Sequence, residues 1–354
     1  MVSVPGKDLQ AGGAVRETAD VTGQLLATAR AGDQDAFAEL TGPFRRELQV
    51  HCYRILGSAA DAEDMLQETM MAAWRGLDRF EERSSLRTWL HTIATNKCLN
   101  QLRASRGASL SAPPVPLPEP TRSGEPLWLE PYPDDLLGGL PDASPGPEAR
   151  YEARESVSLA FVAALQHLPP RQRAALVLRD VLGFRAAETA GILGCTLDAA
   201  NNLLKRARAT IAEHLPPGGR DQAPVPGSAR ERQVSAAFAD AFERGDVDHI
   251  VALLTGDAWL TMPPFPFEYQ GGDAIGHFLS TVSFRPGSRP SRLVPTRANG
   301  QPAFGRYLRD PHAPISHAHG LIVLTLAGDR ISAITGFYDN SVLLRFGLPR
   351  TLPD

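Results

Sequence analysis

Two stretches rich in proline and glycine constrain this chain more than any other feature. Residues 107–148 and 216–228 carry runs such as SAPPVPLPEP and PPGG and sustain neither a helical nor a strand period. Segments of this kind stay extended, because proline fixes φ, removes a backbone donor and leaves few apolar residues to bury. No packed core can run through them. A chain of 354 residues divided in this way should form three units, each with its own core. These are residues 21–106, 149–215 and 229–346, behind a tail over residues 1–20 that reads as disordered.

The first unit reads as all-α from Leu25 to Arg103, with apolar residues at helical spacing and few breaks. In ADAEDMLQETMMAAWRGLDRF (Ala60 to Phe80), Ala62, Met65, Leu66, Thr69, Met70, Ala73 and Trp74 share one stripe. Asp61, Asp64, Gln67 and Glu68 are left on an acidic face. Next comes ERSSLRTWLHTIATNKCLNQLR (Glu82 to Arg103), a short loop holding Arg83, Ser84 and Ser85 followed by a helix. That helix carries Trp89, Asn96, Lys97, Asn100 and Arg103. Amides, bases and an aromatic in this order suit single-stranded nucleic acid, whose unstacked bases lodge in pockets. Taken alone, the stripe reads as plain core and Trp89 as a packing residue.

The second unit, Leu168 to Leu215, reads as two helices hinged by a tight glycine turn and continued by a long basic helix. Ala190, Leu193, Gly194, Ala200 and Leu203 supply the small, core and turn positions of a helix-turn-helix. Gly194 can take the positive φ of the turn, and Thr196 can cap the second helix. Ala199, Ala200, Leu203, Leu204, Ala207 and Ile211 would face the core. Leu197, Asp198, Asn201, Asn202 and Lys205 face the other way, where such a helix meets base edges. Asn pairs bidentately with adenine and Lys suits guanine or phosphate. Arg206 and Arg208 suit phosphate contacts, which position without reading.

Three segments, DAEDMLQETMMAAW, SSLRTWLHTIATNKCLNQLR and LPPRQRAALVLRDVLGFRAAETAGILG…LLKRARA, occur in that order. Together they resemble the conserved regions of extracytoplasmic-function sigma factors of the sigma-70 superfamily. The resemblance covers most of residues 20–215. It implies a non-enzymatic subunit that binds bacterial RNA polymerase core through its beta and beta-prime subunits and directs it to promoter DNA. Asp61, Asp64, Gln67 and Glu68 match the helix that grips the clamp coiled coil of the largest polymerase subunit. The Glu82 to Leu86 loop matches the element that captures a flipped base of the −10 element. Asn96, Lys97, Asn100 and Arg103 match the adjoining helix on the unwound strand, and Thr196 to Arg208 matches the −35 reader. Related recognition helices carry further basic residues where this chain has Asn201, Asn202 and Leu203, which leaves the −35 sequence open.

The longer break fits this reading as a tether. Promoter elements some 25 base pairs apart lie about 85 Å apart at roughly 3.4 Å per step. About forty extended residues reach roughly 130 Å. Inside the tether, WLEPYPDDLL (Trp128 to Leu137) is an apolar island, read either as a segment that docks in a polymerase channel or as a local Ω-loop.

The third unit reads as helices, a short strand, a proline turn and another helix, then strands at Arg292–Ala298, Gln301–Leu308, His317–Leu326 and Arg330–Tyr338. This order indicates an α+β domain whose curved antiparallel sheet wraps the helices. Its opening, FERGDVDHIVALLTGDAWLTMPP, resembles the SnoaL-like, ketosteroid-isomerase-like cone fold, which a subset of these sigma factors carries. The fold class expected is therefore two all-α sigma domains plus a C-terminal α+β SnoaL-like cone. Isomerases and cyclases on that fold use a carboxylate or His base with a Tyr or acid donor. Glu268, Tyr269, His277, His317, His319 and Asp339 are the residues of that chemistry here. Tyr269, His277, His317 and His319 are the expected pocket. Their spacing matches no catalytic arrangement. Regulation, with a small ligand in the cone, is the expected role; a DNA-binding regulator fused to an isomerase- or cyclase-type enzyme is the alternative.

Charge and cysteine content agree. With 36 Lys and Arg against 40 Asp and Glu the net charge is −4, so DNA affinity must come from local patches. Cys52, Cys98 and Cys195 form no CxxC pair and read as buried free thiols. No cofactor or metal is implied. With no signal peptide or long apolar run, no membrane partner is expected and the compartment expected is the cytoplasm.

Overall fold

The computed structural model describes residues 21–104, 116–124, 127–137, 156–214 and 223–353. The tail over residues 1–20 and residues 105–115, 125–126, 138–155 and 215–222, which include the two ends of the longer Pro-rich stretch and most of the shorter one, lie outside the described residues. The first unit contains α1 (residues 21–30), α2 (Gln34–Leu56), α3 (Ala59–Gly76) and α4 (Leu86–Ala104). Side-chain caps start two of them: Asp33 accepts from the Ala36 amide at 2.9 Å, and Ser58 from that of Asp61 at 3.0 Å. Ala62, Leu66, Thr69, Met70 and Ala73 of the expected stripe are buried, while Met65 and Trp74 lie at its rim.

The second unit contains α5 (Leu159–Gln166), α6 (Pro170–Leu176), α7 (Ala186–Ile192) and α8 (Leu197–His214). A π-helical turn, Val177–Val181, extends α6. Between α7 and α8, Gly194 takes φ +57°, and Thr196 Oγ1 accepts from the Ala199 amide at 3.2 Å. Ala190, Leu193, Ala200, Leu204 and Ala207 are buried and Leu203 is half-buried.

The third unit opens with α9 (Ala229–Arg244) and α10 (Val247–Ala252). The strands β2 (Leu254–Met262) and β3 (Phe265–Gln270) form a hairpin, and α11 (Gly271–Phe278) follows. Four strands complete the sheet: β4 (Ser291–Ala298), β5 (Gln301–Arg309), β6 (Ile315–Ala327) and β7 (Arg330–Phe337). A short β8 (Thr351–Pro353) pairs with the start of β6. Helices and sheet enclose a core of Phe238, Phe242, Ile250, Leu260, Phe278, Leu324 and Ile334.

Two features depart from the expected sheet. It is mixed, because β2 runs parallel to β7 and only the other pairs are antiparallel. The chain leaves β2 through β3 and α11, crosses to β4 and returns by meander, so β7 reaches β2 in the same direction. The second departure is β1 (Arg122–Ser123), a strand from the tether that pairs antiparallel with β3 at the sheet edge. Arg122 also binds Glu268 and lies over the Trp259 ring at 5.0 Å. An exposed edge strand is thereby covered.

The tether is thus not free where it is described. Its apolar island docks inside the chain, between the first and third units. Glu130 N–H donates to Gly57 O at 2.8 Å, Glu130 Oε2 accepts from the Ala60 amide at 3.0 Å, and Tyr53 Oη donates to Glu130 O at 2.9 Å. On the other side Tyr132 exchanges bonds with Asn299: Asn299 N–H donates to Tyr132 O and Tyr132 N–H to Asn299 Oδ1, both at 2.8 Å. Asn299 holds φ +57° and sends its Nδ2 to Tyr53 Oη at 2.8 Å and Val157 O at 2.6 Å. Asp134 pairs with Arg297 and accepts from the Gly300 amide. One apolar cluster therefore runs from Leu48 and Ile55 through Tyr132 to Tyr307, Leu321, Phe337 and Leu343.

Two buried arginines join the helical units. Arg54 donates from Nε to Ser156 O at 3.0 Å and from Nη2 to Ser156 Oγ at 2.5 Å. Arg173 donates to Ile55 O, Gln166 Oε1, Gln166 O and Leu168 O. Burial pulls both guanidinium pKa values down to about 10, so both remain charged at neutral pH. Arg173→Met should strand these buried carbonyls and cost about 3–5 kcal/mol. Urea unfolding of the full chain measures it; a loss below about 1 kcal/mol would refute the bracing role.

Acid should loosen the same region. His51 of α2 and His91 of α4 lie 5.1 Å apart, with Arg54, Arg87, Glu47 and the Phe184 ring around them. Burial is the main cause that lowers both pKa values, that of His91 to about 4. Glu47 opposes that shift at His91, while Arg54 and Arg87 reinforce it at His51. Both rings stay neutral in the fold, whereas the unfolded chain takes up protons below about pH 6.5. This contribution is full above that pH and fades as pH falls toward 4. Between pH 6.5 and 4.5 the wild-type chain should lose about 2 kcal/mol more than His91→Gln does, read from denaturation midpoints. Equal losses would contradict the assignment.

Candidate nucleic-acid interface

The long helix α8 presents Leu197, Asp198, Asn201, Asn202, Lys205 and Arg206 to solvent, opposite buried Ala200, Leu204 and Ala207. The core face fixes the helix and leaves two amides and two cations outward on consecutive turns. Thr196 is spent as the cap. Arg208, expected as a phosphate contact, instead binds Asp180 through both carboxylate oxygens at 2.7 and 2.8 Å. It braces α8 against the turn behind α6 in this conformation.

On α4, Asn96, Asn100 and Arg103 are exposed, with Arg103 Nη1 donating to Asn100 Oδ1 at 2.8 Å. Lys97 is not open: its Nζ binds Glu68 Oε2 at 2.8 Å, which holds the Glu68 carboxyl below its ordinary pKa. One expected DNA contact and one expected polymerase contact thus occupy each other. In the loop before α4, Arg83 and Ser84 are exposed and Arg83 pairs with Glu81. Ser85 caps α4, its Oγ accepting from the Thr88 amide at 3.1 Å. Trp89 packs on Phe80 with ring centroids 4.9 Å apart, as the stripe alone implied, and is not a free stacking platform. Glu82 holds φ +56° and meets Arg30 at 3.3 Å.

The acidic face of α3 is open at Asp64 and Gln67 and half-covered at Asp61. Burial raises the Asp61 pKa, with Glu130 and Asp64 adding to the shift. Glu130 sits at the start of α3, where a carboxylate meets the positive end of the helix dipole. Arg345 of the third unit reaches Glu130 at 3.2 Å. The third unit and the island together therefore cap one end of this face.

Inside the cone a cavity of about 30 Å³ is lined by Phe242, Leu260, Phe278, Arg306, His319 and Tyr338, among others. Of the four residues expected there, His319 alone lines it. Tyr269 is buried but donates its hydroxyl to Pro118 O at 2.9 Å, anchoring the tether. His277 is exposed on α11. His317 points to Asp310 at 2.9 Å. Glu268 holds Arg122, and Asp339 caps the turn at Ser341. Alternation would put His317 and His319 on one face, but a β-bulge separates them. Tyr307 pairs with Ala318 and Arg306 with Gly320, so His319 has no partner across the strand and is re-aimed. Sequence reasoning missed Arg306 and Tyr338, for which a strand pattern carries no signal.

Cys52 and Cys98 are buried free thiols, whereas Cys195 is half-buried because it follows Gly194 in the turn instead of lying within a helix. Among the described residues no group of His, Cys, Asp or Glu forms a metal cluster, and no helix is long and apolar enough to cross a membrane.

Comparison with known proteins gives these surfaces a class. Residues 42–107 match the family described as Sigma-70 region 2, and residues 158–211 match Sigma-70, region 4. The two helical modules thus define a sigma-70-type transcription initiation factor. The chain is 42% identical over 346 residues to the ECF RNA polymerase sigma factor SigG of Mycobacterium tuberculosis, spanning 94% of this chain and 89% of that protein. It belongs to the extracytoplasmic-function (ECF) RNA polymerase sigma factors. The crystal structure of M. tuberculosis SigJ, another member, shares its fold: TM-score 0.55 at 23% identity, covering 88% of this chain and 99% of that one.

Proposed function

We propose that this sigma factor docks on core polymerase through Asp61, Asp64, Gln67 and Glu68 against the clamp of the beta-prime subunit. It then reads the −10 element with Arg83, Ser84, Asn96, Lys97, Asn100 and Arg103. The −35 element falls to Leu197, Asp198, Asn201, Asn202, Lys205 and Arg206. It acts in the cytoplasm, and its cone regulates without catalysing. His319, held neutral with a pKa near 4 by burial and by Arg306 and Arg289, is a weak base at neutral pH.

One observation carries the regulatory part. The two DNA-reading modules touch: Arg87 of α4 donates to Leu182 O at 3.1 Å and lies over the Phe184 ring at 4.4 Å, and Thr88 Oγ1 reaches Glu188 at 3.4 Å. Promoter elements about 85 Å apart cannot both be held by modules in contact. The chain must open on polymerase, and the island and cone, bonded across Tyr53, Tyr132 and Asn299, hold it shut. Release of the tether frees both modules, Lys97 and Glu68 exchanging each other for DNA and polymerase.

Run-off transcription with purified core and the full chain tests this reading. Defined start sites that require both components are expected, while promoter binding without core would favour an ordinary DNA-binding regulator. On such a promoter Asn201→Ala should cost about 1–3 kcal/mol of −35 discrimination, read as the ratio of output from matched and base-substituted templates. An unchanged ratio would move the reading role elsewhere on α8.

A further inference from the structure

We infer that the cone binds a small organic monoanion, a carboxylate with an apolar body, on Arg306. The regulatory consequence rests on the function proposed above, but the binding itself does not.

Arg306 is 6% exposed, on β5, and lines the cavity. Its Nε donates to Ser291 Oγ at 3.1 Å, and its guanidinium lies 5.2 Å from the Phe242 ring centre. Among the described residues no carboxylate pairs with it, and Tyr338 is the single group whose field favours its charge. Arg289, whose field acts on His319 beside the cavity, is again positive. A guanidinium taken out of water without a counter-charge is strongly unfavourable, so the cavity favours an anion. Arg54 and Arg173 each donate to two or more oxygens, whereas among the described residues Arg306 donates to Ser291 Oγ through Nε, which leaves its terminal nitrogens for a ligand.

The walls select the kind of anion. Leu260, Phe278, Ile322 and Ile334 line the space beside the fork, so the body of the ligand is apolar. A cavity of about 30 Å³ exceeds the roughly 10–15 Å³ that one water needs and admits a planar carboxylate head, with the remainder toward the partly open side. One arginine fork matches one carboxylate bidentately, whereas a phosphate dianion would keep uncompensated charge against these walls. The β-bulge adds specificity by turning His319 inward, and Gly320 permits it, since a Cβ there would sit 2.1 Å from Phe337 O. A neutral His319 can donate one N–H to the second oxygen.

Equilibrium dialysis of the full chain against radiolabelled benzoate, with acetate and butyrate as competitors and benzamide as the uncharged control, tests the site. Saturable binding of benzoate at one site per chain is expected, displaced by butyrate and untouched by benzamide. Arg306→Gln should weaken it at least tenfold, about 1.4 kcal/mol. Ile334→Trp, which fills the cavity and spares the guanidinium, should weaken it similarly; circular dichroism confirms that each variant is folded. No saturable binding of any of the three carboxylates at 10 mM, equal displacement by benzamide, or full affinity in folded Arg306→Gln would each overturn the inference. None of these outcomes touches polymerase binding, which is read separately by transcription.

Discussion

Replacing Asn299 by glycine should open the chain and raise promoter-directed transcription. Glycine keeps the left-handed φ of +57° that Asn299 holds, so the turn between β4 and β5 survives. What disappears is the side chain that accepts from Tyr132 N–H and donates to Tyr53 Oη and Val157 O. Tyr53, Tyr132 and Val157 are almost wholly buried, and each polar group left unpaired there costs about 1–3 kcal/mol. A seam weakened by about 3 kcal/mol shifts the closed-to-open ratio on the order of a hundredfold. Small-angle scattering should show a larger radius of gyration, and run-off output per mole of chain should rise several-fold. Unchanged scattering together with unchanged output would remove the seam from the regulatory mechanism.

Reversing the charge at Asp64 should have a comparable effect in the opposite direction. Asp64 is exposed on α3, and no described residue bonds it, so Asp64→Arg leaves the fold intact. Placed against a basic partner surface, the new cation substitutes repulsion for attraction. Like charges across an interface cost several kcal/mol. Core affinity should fall about a hundredfold, at about 1.4 kcal/mol per tenfold, with most of the change in the association rate at low salt. Fluorescence anisotropy of labelled chain titrated with core measures it. An affinity within twofold of wild type would move the docking surface off this helix.

The helical units were legible because their cues are local. Gly194 and Thr196 announce the turn and cap within a few residues, and the stripe on α3 repeats every three or four. The four strands β4 to β7 announce themselves as strand-like runs set off by turn residues such as Asn299, Gly300, Gly328 and Asp329. What the sequence conceals depends on partners far along the chain. The pairing of β1 with β3 joins residues 146 positions apart at Arg122 and Glu268. The docking of WLEPYPDDLL depends on Asn299, more than 160 residues away from Tyr132. The expected alternation of His317 and His319 fails at a bulge in β6, seen only once the pairing of Ala318 and Gly320 with β5 is known. Arg306 looks like a solvated strand arginine until the fold closes over it. Lys97 and Arg208 read as ligand contacts by type, but each is engaged by a carboxylate that only the tertiary structure supplies, Glu68 and Asp180; Ser85 is taken by a local cap on the Thr88 amide.

The central claim is that the two DNA-reading modules are held together in the free chain and separate on the promoter. Nitroxide labels at Glu39→Cys on α2 and Glu213→Cys on α8, both exposed positions, report the gap between modules. Half-buried Cys195 is first replaced by serine. Double electron–electron resonance should give one short, narrow distance for the free chain, lengthened by tens of Å once core polymerase and promoter DNA are added. An unchanged distance in a transcriptionally active complex would contradict the claim.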